Sequence, residues 1–334
     1  MEDGFKFGRR DFLKVIALTG VGFGVRGNLK AKSIESGNNF ARYFTKEKGR
    51  LRLLAVTDLH FFDSTHPAEN NQKTVNALRA MIEKFNPELM LLNGDTWFEG
   101  TGQPSFKRCQ WACEQIGKLG IPWILVFGNH DAIVDFKRVY QLLTDTPNSL
   151  FSGTEAYGNY RVEICNSGEK SPFWIFIIIN DYYPVRGFNQ YQINWFNNEV
   201  ALLKQKYNPP PPCFLFCHIP LPQFKTLWKQ GKATGVKNER VFYEGGTYKA
   251  FLAIKNSGMV KAVFAGHDHA NNYWGDLDGV RLQYLRATGY GGYGGKKVKK
   301  GGTIINIDIN QPEPKYEFLT VFEDGSFWVP EKSI

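Results

Sequence analysis

Residues 122–131 read PWILVFGNHD, an uncharged apolar run that stops at Gly128-Asn129-His130-Asp131. Two earlier stretches repeat this arrangement: residues 52–60 read RLLAVTDLH, and residues 87–95 read PELMLLNGD. A short apolar run bounded by Gly, Asn or Asp is typical of a buried strand. The pattern therefore predicts three buried strands, each followed directly by side chains that can perform chemistry.

Helical spacing separates these strands, over residues 74–85 and 105–119. Strands alternating with helices of this length predict right-handed βαβ units and a mainly parallel sheet. The second half predicts a strand pair at 159–165 and 173–179, a helix over 191–206, and buried strands at 213–217 and 260–265. Four further strands are expected within 280–329. The predicted fold class is α/β.

The composition of the 334-residue chain excludes several classes of protein. It is 43% hydrophobic and 22% charged, which excludes a disordered or collagen-like chain. Five cysteines cannot all pair, so a disulfide scaffold is also excluded. The net charge is +9, and residues 1–32 carry seven Lys or Arg against three acids. The remaining chain is mildly basic, which suits an anionic substrate or simply solubility.

The N-terminal segment has the features of an export signal. Arg9-Arg10 and Phe12-Leu13-Lys14 precede an uncharged run from Val15 to Val25, too short to cross a membrane. It resembles a twin-arginine signal, which implies a bacterial, periplasmic or extracytoplasmic protein. No clear cleavage site follows, so retention as an anchor stays open. We predict a signal at 1–32, a linker at 33–50 and one domain at 51–330.

Five predicted strands end in metal-binding residue types. Five of the six histidines lie at these strand ends. Ligands in α/β sheets bind beyond the carboxyl ends of the strands, so these side chains are expected to converge. A His, Asp and Asn set without Cys favours divalent cations. These residues are Asp58, His60, Asp95, Asn129, His130, His218, His267 and His269.

The order Asp-x-His, Gly-Asp, Gly-Asn-His-Asp, His and Gly-His-Asp-His resembles the calcineurin-like metallophosphoesterase superfamily. Residues 217–222 (CHIPLP), 266–272 (GHDHANN) and 289–294 (GYGGYG) resemble its purple-acid-phosphatase-like branch. The resemblance implies a four-layer α/β/β/α sandwich with two mixed β-sheets. It also implies two divalent metal ions, whose identity can be Mn, Fe or Zn.

The resemblance also implies a role for each site residue. The first ion is bound by Asp58, His60 and His269, the second by Asn129, His218 and His267, and Asp95 bridges them. His130 protonates the leaving group, and Asp131 orients the His130 ring. The chain departs from true purple acid phosphatases in having Phe98 where they have a tyrosine ligand and in possessing His60. An iron–tyrosinate site is therefore not expected.

The implied activity is hydrolysis of phosphate esters, most simply phosphomonoesters, by in-line attack of a metal-activated hydroxide. The alternatives are a phosphodiesterase or nuclease, a metal-binding recognition protein without catalysis, and a membrane-associated phospholipid-head hydrolase if the leader is retained. The expected partner is a small phosphorylated substrate. Neither nucleic acid nor an obligate protein partner is expected. Candidate substrate contacts are His66, Asn271, Tyr290 and Tyr293.

Overall fold

Two β-sheets pack face to face in the computed structural model, which describes residues 36–37, 39–63, 67–97, 106–131, 135–245, 248–312 and 315–330. The strands are β1 (Ser36–Gly37), β2 (Phe40–Thr45), β3 (Arg50–Val56), β4 (Leu89–Asn93), β5 (Trp123–Val126), β6 (Tyr160–Asn166), β7 (Pro172–Ile178), β8 (Cys213–Phe216), β9 (Thr234–Lys237), β10 (Val260–Ala265), β11 (Asn271–Leu277), β12 (Val280–Tyr284), β13 (Gly302–Asp308), β14 (Lys315–Val321) and β15 (Phe327–Trp328). The helices are α1 (Glu69–Phe85), α2 (Phe106–Gly117), α3 (Phe136–Asp145), α4 (Gln190–Lys206), α5 (Pro222–Lys229) and α6 (Tyr248–Ser257).

The six-stranded sheet has the order β15-β14-β13-β3-β4-β5. Strands β3, β4 and β5 are parallel, as the βαβ pattern predicts. Strand β13 runs antiparallel to β3, with Thr303 opposite Ala55. Gly302 in β13 lies close to Met81 of α1, so this helix covers the outer face of the sheet. Coverage on both faces explains why β3 to β5 are almost continuously apolar.

The nine-stranded sheet has the order β1-β2-β6-β7-β8-β10-β12-β11-β9. Its central strands β7, β8 and β10 are parallel, and the predicted strand pair β6 and β7 is antiparallel. Side chains of α4, α5 and α6 form one apolar cluster with these central strands, including Phe196, Phe224 and Ile254. These helices therefore cover the outer face of the second sheet.

Aromatic side chains fill the space between the two sheets. Phe318 of β14 lies 5.3 Å from Phe264 and 6.3 Å from Phe214, measured between ring centroids. Tyr316 contacts Trp174 in the same layer. Edge-to-face contacts of this kind add to the hydrophobic free energy of burying the rings. The predicted α/β fold with two mixed sheets between helical layers is confirmed.

The prediction that residues 33–50 form a linker is wrong for the part of this segment that the structure describes. This part contains β1 and β2, and β2 pairs in parallel with β6 along its whole length. Ala41 and Tyr43 are buried in this pairing, so the segment belongs to the nine-stranded sheet. Residues 1–32 lie outside the described residues. Among the helices that the structure describes, none is long and apolar enough to cross a membrane.

Candidate metal centre

The carboxyl ends of strands from both sheets converge on one site. Strands β3, β4 and β5 of the six-stranded sheet lead to Asp58, His60, Asp95 and Asn129, and strands β8 and β10 of the other sheet lead to His218, His267 and His269. The ligand atoms of Asp58, His60 and His269 lie within 4.8 Å of one another, as do those of Asp95, His218 and His267. The two groups correspond to the two sets that the sequence predicts, apart from Asn129.

Carboxylates connect the two groups. Asp95 Oδ2 lies 3.0 Å from His218 Nε2 in its own group and 3.6 Å from His60 Nε2 in the other. Asp58 Oδ1 lies 3.1 Å from His269 Nε2 and 3.9 Å from His218 Nε2. The position of Asp95 between the groups is the one expected of a carboxylate shared by two cations.

Unsatisfied polar atoms show that these residues fit metal ions. Asn129 Oδ1 is buried and accepts no hydrogen bond within the described part of the chain, and the close approaches of Asp58 Oδ1 to His269 and of His218 Nε2 to Asp95 lack hydrogen-bond geometry. A buried polar atom without a partner costs about 1–3 kcal/mol. The donors are carboxylate, amide and imidazole, which suit divalent Mn, Fe or Zn. Cations held here would supply the missing partners.

Backbone carbonyls fix the orientation of two imidazoles. His218 Nδ1 donates to the carbonyl of Asn93 at 2.8 Å, and His269 Nδ1 donates to the carbonyl of Tyr293 at 3.1 Å. Because a carbonyl only accepts, both Nδ1 atoms carry the proton. Nε2 is therefore the atom of each ring that can bind a metal, with the cation replacing any proton held there, and this orientation is common in protein metal sites.

The backbone is strained where the ligands lie. Asp58, His60, Asp95 and His267 all have φ between 47° and 71°, in the left-handed region that side chains with a Cβ rarely adopt. Gly94 has φ 89°, and a Cβ there would come within 2.3 Å of the His218 ring. Strain of this kind costs on the order of 1–3 kcal/mol per residue and collects at functional sites.

The electrostatics of the site concentrate negative charge. Burial opposes ionisation of Asp58 and Asp95, but adjacent imidazoles outweigh it and lower the pKa of both carboxyls. Burial likewise lowers the pKa of His218, but Asp95 and Asp58 overcome this and raise it to about 10. Burial, together with His269, lowers the pKa of His60 to about 3. Ionised carboxylates beside a neutral imidazole favour binding of a cation.

His130 lies at the edge of this centre. Its backbone N–H donates to Asp95 Oδ1 at 2.8 Å, and its ring centroid is 5.2 Å from that of His60. The ring lines the cleft above the ligands without joining either group. This is a suitable position for a general acid that does not bind metal.

The role predicted for Asp131 was wrong. Its hydrogen bonds to described residues go to backbone amides: Gly128 N–H donates to Oδ2, and Thr96 and Trp97 N–H donate to Oδ1, at 2.8–3.0 Å. Burial and the nearby Asp95 raise the pKa of Asp131 to about 8, against the opposing effect of these amides. Asp131 thus ties the loop after β4 to the loop after β5 rather than orienting the His130 ring.

A cleft of about 310 Å³ opens over the ligands. The described residues that line it are His60, Asp63, Asp95, His130, Phe242, His267, Asp268, His269, Gly292 and Tyr293. Among the predicted substrate contacts, Tyr293 lines this cleft. Tyr290 does not, since its hydroxyl donates to Glu323 and its ring lies under Lys73.

Asn271 also lies outside the cleft lining. It is buried in β11, and its Oδ1 accepts from the amides of Asn238 and Glu239. It therefore supports the segment that leads to Phe242 instead of contacting substrate. His66 and Phe98 lie outside the described residues.

Sequence reasoning missed Glu239, Phe242 and the role of Asp268. The Asp268 carboxylate accepts hydrogen bonds from the Phe242 amide and the Tyr284 hydroxyl. Its place between two ligand histidines was visible in the motif, but its partners were not. Glu239 and Phe242 follow a short strand that no periodic pattern predicts.

Comparisons with known proteins agree with this geometry. The chain matches the family model described as calcineurin-like phosphoesterase over residues 51–271. It is 28% identical over 291 residues to "Probable inactive purple acid phosphatase 14" of Arabidopsis thaliana, covering 74% of this chain and 72% of that protein. It is 26% identical over 303 residues to "Probable inactive purple acid phosphatase 29" of the same plant, covering 79% and 78%.

A solved structure shares the fold. A dimetal phosphatase from Danio rerio superposes with a TM-score of 0.53 at 11% identity, covering 81% of this chain and 95% of that one. The resemblance predicted from the motifs, including the purple-acid-phosphatase-like branch, is confirmed.

Proposed function

This chain belongs to the calcineurin-like phosphoesterase family, and from that premise we propose that it is a metal-dependent hydrolase of phosphate monoesters. The observation that carries the proposal is the placement of Asp95 between two groups of ligands, within 3.0 Å of His218 and 3.6 Å of His60. Oδ2 of this carboxylate lies close to a histidine of each group, while Oδ1 accepts from the His130 amide. This arrangement favours a pair of cations over a single ion.

The first ion would be held by Asp58, His60 and His269, the second by Asn129, His218 and His267, and Asp95 would be shared. Two divalent cations, when bound, neutralise phosphoryl oxygens and promote ionisation of water near neutral pH. The chain's own contribution is to fix these ligands and exclude bulk water from them. His130, in the cleft, supplies a proton to the departing ester oxygen, a contribution of about 10²–10⁴-fold.

The plant relatives carry the description "probable inactive", which concerns those proteins. In this chain Asp58, His60 and His269 come together, as do Asp95, His218 and His267, and His130 lines the cleft. A recognition protein would not need a proton donor beside the metal ligands. These features support catalysis over metal binding alone.

The dimensions and charge of the cleft support a small monoester. A volume of about 310 Å³ lies at the lower end of the range for ligand pockets. No Lys or Arg is among the described residues that line it. A nuclease would need basic side chains along a groove to follow a phosphodiester backbone.

The proposal is tested by comparing hydrolysis of an aryl phosphate monoester and the corresponding diester, with Mn-loaded and Zn-loaded protein. We expect monoester turnover to dominate and His130→Ala to lower kcat by about 10²–10⁴-fold while two metal ions remain bound. Tyr290→Phe, outside the cleft, is the matched control. Full activity in His130→Ala, or no turnover by the parent with either metal, would contradict the proposal.

We further propose that residues 1–32 direct twin-arginine export, on the basis of Arg9-Arg10 followed by Phe12-Leu13-Lys14. Replacing both arginines by lysine should retain the full-length chain in the cytoplasm of a bacterial host with this pathway. Cell fractionation measures the outcome. An unchanged distribution between the compartments would contradict the proposal.

A further inference from the structure

Two aromatic side chains stand at the mouth of the cleft. Phe242 is 41% exposed and Tyr293 is 48% exposed, and both line the cleft that contains His130 and His269. Large apolar side chains exposed beside a polar centre are an informative departure from ordinary burial. They offer apolar surface at the place where the organic group of a bound phosphate ester would lie.

Tyr293 is held in place by ring stacking, by a hydrogen bond of its hydroxyl and by a hydrogen bond of its backbone carbonyl. It stacks on the His269 ring at 3.9 Å between centroids, with an interplanar angle of 16°. Its hydroxyl donates to Glu239 Oε2 at 3.0 Å, and its carbonyl accepts from Lys300 Nζ at 2.6 Å. A ring fixed in this way loses little conformational entropy when a ligand packs on it.

Phe242 lies in a different segment, and its backbone and ring are each held by a contact. Its amide donates to the Asp268 carboxylate, and the Arg240 guanidinium lies 3.9 Å from its ring centroid. The segment carrying Phe242 is tied to the ligand motif, because Glu239 Oε1 accepts from the amide of Ala270, which directly follows His269. Glu239 therefore connects the two aromatic walls to each other and to the metal centre.

We infer that Phe242 and Tyr293 form a subsite for a flat, apolar leaving group, so that the preferred substrates are phosphomonoesters of aromatic alcohols. This inference rests on the proposed function. In the reaction, water adds its oxygen to phosphorus, the P–O bond to the aromatic alcohol breaks, and that alcohol's oxygen leaves with a proton. Phosphate and a phenol are the products.

The leaving group of a sugar or polyol phosphate is recognised chiefly by hydrogen bonds to its hydroxyls. Apart from the residues of the metal centre and the carboxylates of Asp63 and Asp268, the cleft lining offers the Phe242 ring, the Tyr293 ring and the bare backbone of Gly292. Aromatic rings gain from offset or edge-to-face packing against such walls. The surface therefore fits a ring better than a polyhydroxylated chain.

The test compares kcat/KM for phenyl phosphate with that for glycerol phosphate in parent, Phe242→Ala and Tyr293→Ala, all metal-loaded. Because each ratio is referred to the parent, the intrinsic reactivity of the two esters cancels. We expect each variant to lower the phenyl-to-glycerol ratio by about fivefold to tenfold. Tyr248→Ala, which removes a 70% exposed tyrosine from α6, is the control and should leave the ratio unchanged.

Binding provides a second readout that is independent of turnover. Calorimetry should show that phenylphosphonate binds the metal-loaded parent more tightly than methylphosphonate, and that Phe242→Ala removes most of this difference. An unaltered substrate ratio together with equal phosphonate affinities would overturn the subsite. A parent that hydrolyses no phosphate ester but keeps the phenyl preference in binding would contradict the proposed function alone.

Discussion

The floor and the mouth of the cleft are built in opposite ways. The floor consists of the seven candidate ligands, which follow strand ends; His218 and Asp58 are 0% and 1% exposed. The mouth consists of Phe242 and Tyr293, which lie in loops that Glu239 connects; the two rings are 41% and 48% exposed. Rigid strands therefore position the residues proposed for chemistry, whereas loop contacts position those proposed for selectivity.

This contrast implies different sensitivities to substitution. At the floor, replacing one charged side chain leaves its buried partner without a counter-charge, and a new side chain in left-handed backbone adds strain. Substitutions there are therefore costly. At the mouth, half-exposed side chains can be replaced with small effects on folding. Substitutions at four positions test that difference, in order of decreasing effect.

The largest effect is expected at the shared carboxylate. Asp95→Asn leaves one neutral oxygen where both ligand groups need an anion, so we expect loss of bound metal and a fall in kcat/KM of about 10³-fold or more. Metal content by elemental analysis and steady-state kinetics measure these. Asp276→Asn, at an exposed ion pair with Arg281, is the matched control. Retention of two ions by Asp95→Asn would contradict the assigned role.

A backbone substitution at the floor comes next. In Gly94→Ala the new Cβ would lie 2.3 Å from the His218 ring, which is a steric clash. The residue would also carry the backbone strain of φ 89°. Gly120→Ala has φ 77° with nothing within 4 Å of the Cβ, so it isolates the backbone cost. We expect the free energy of unfolding to fall by about 3 kcal/mol or more for Gly94→Ala and about 1 kcal/mol for Gly120→Ala. Equal losses in urea unfolding would mean that His218 does not lie against Gly94.

Lys300, which anchors the Tyr293 carbonyl, predicts a pH effect. Burial lowers the pKa of Lys300 to about 8 from its usual 10.5. Between these values the unfolded chain binds more protons than the folded protein, so stability rises with pH. Lys300→Met should remove a rise on the order of 2 kcal/mol between pH 8 and 10. Exposed Lys296→Met is the control; parallel stability profiles for parent and Lys300→Met would refute the assignment.

The smallest effect is expected from a hydroxyl at the mouth. Tyr293→Phe removes the hydrogen bond to Glu239, and Tyr290→Phe removes the equivalent bond to Glu323 outside the cleft. Each should cost about 1 kcal/mol of stability. Only Tyr293→Phe should also raise KM, by about threefold, because only its ring lines the cleft. An equal rise in KM for Tyr290→Phe would contradict the conclusion that only Tyr293 lines the cleft.

The floor could be predicted from sequence because its geometry is local. A buried strand of four to seven residues ends at a fixed place, and parallel strands end at the same edge, so the motifs alone locate Asp58, Asp95 and His218 there. Left-handed backbone at Asp58 and Asp95 could not be predicted, since it depends on packing between the two loops. The same applies to Asp131, whose partners Thr96 and Trp97 are more than 30 positions away.

The mouth could not be predicted because its contacts join distant, irregular segments. Tyr290 and Tyr293 are three residues apart in one glycine-rich loop, and composition gives no reason to separate them. Only the fold shows that one faces Glu239 and the other Glu323. Strand β2 was missed for a related reason: Phe40–Thr45 mixes polar and apolar residues, and its pairing with β6 spans about 120 positions.

The central claim is that strand ends from both sheets hold two cations around Asp95. Anomalous diffraction from crystals of the Mn-loaded protein tests it most directly. We predict two peaks about 3.5–4 Å apart, one bound by Asp58, His60 and His269 and the other by Asn129, His218 and His267, with Asp95 touching both. A single peak, or two peaks bound by other residues, would contradict the account.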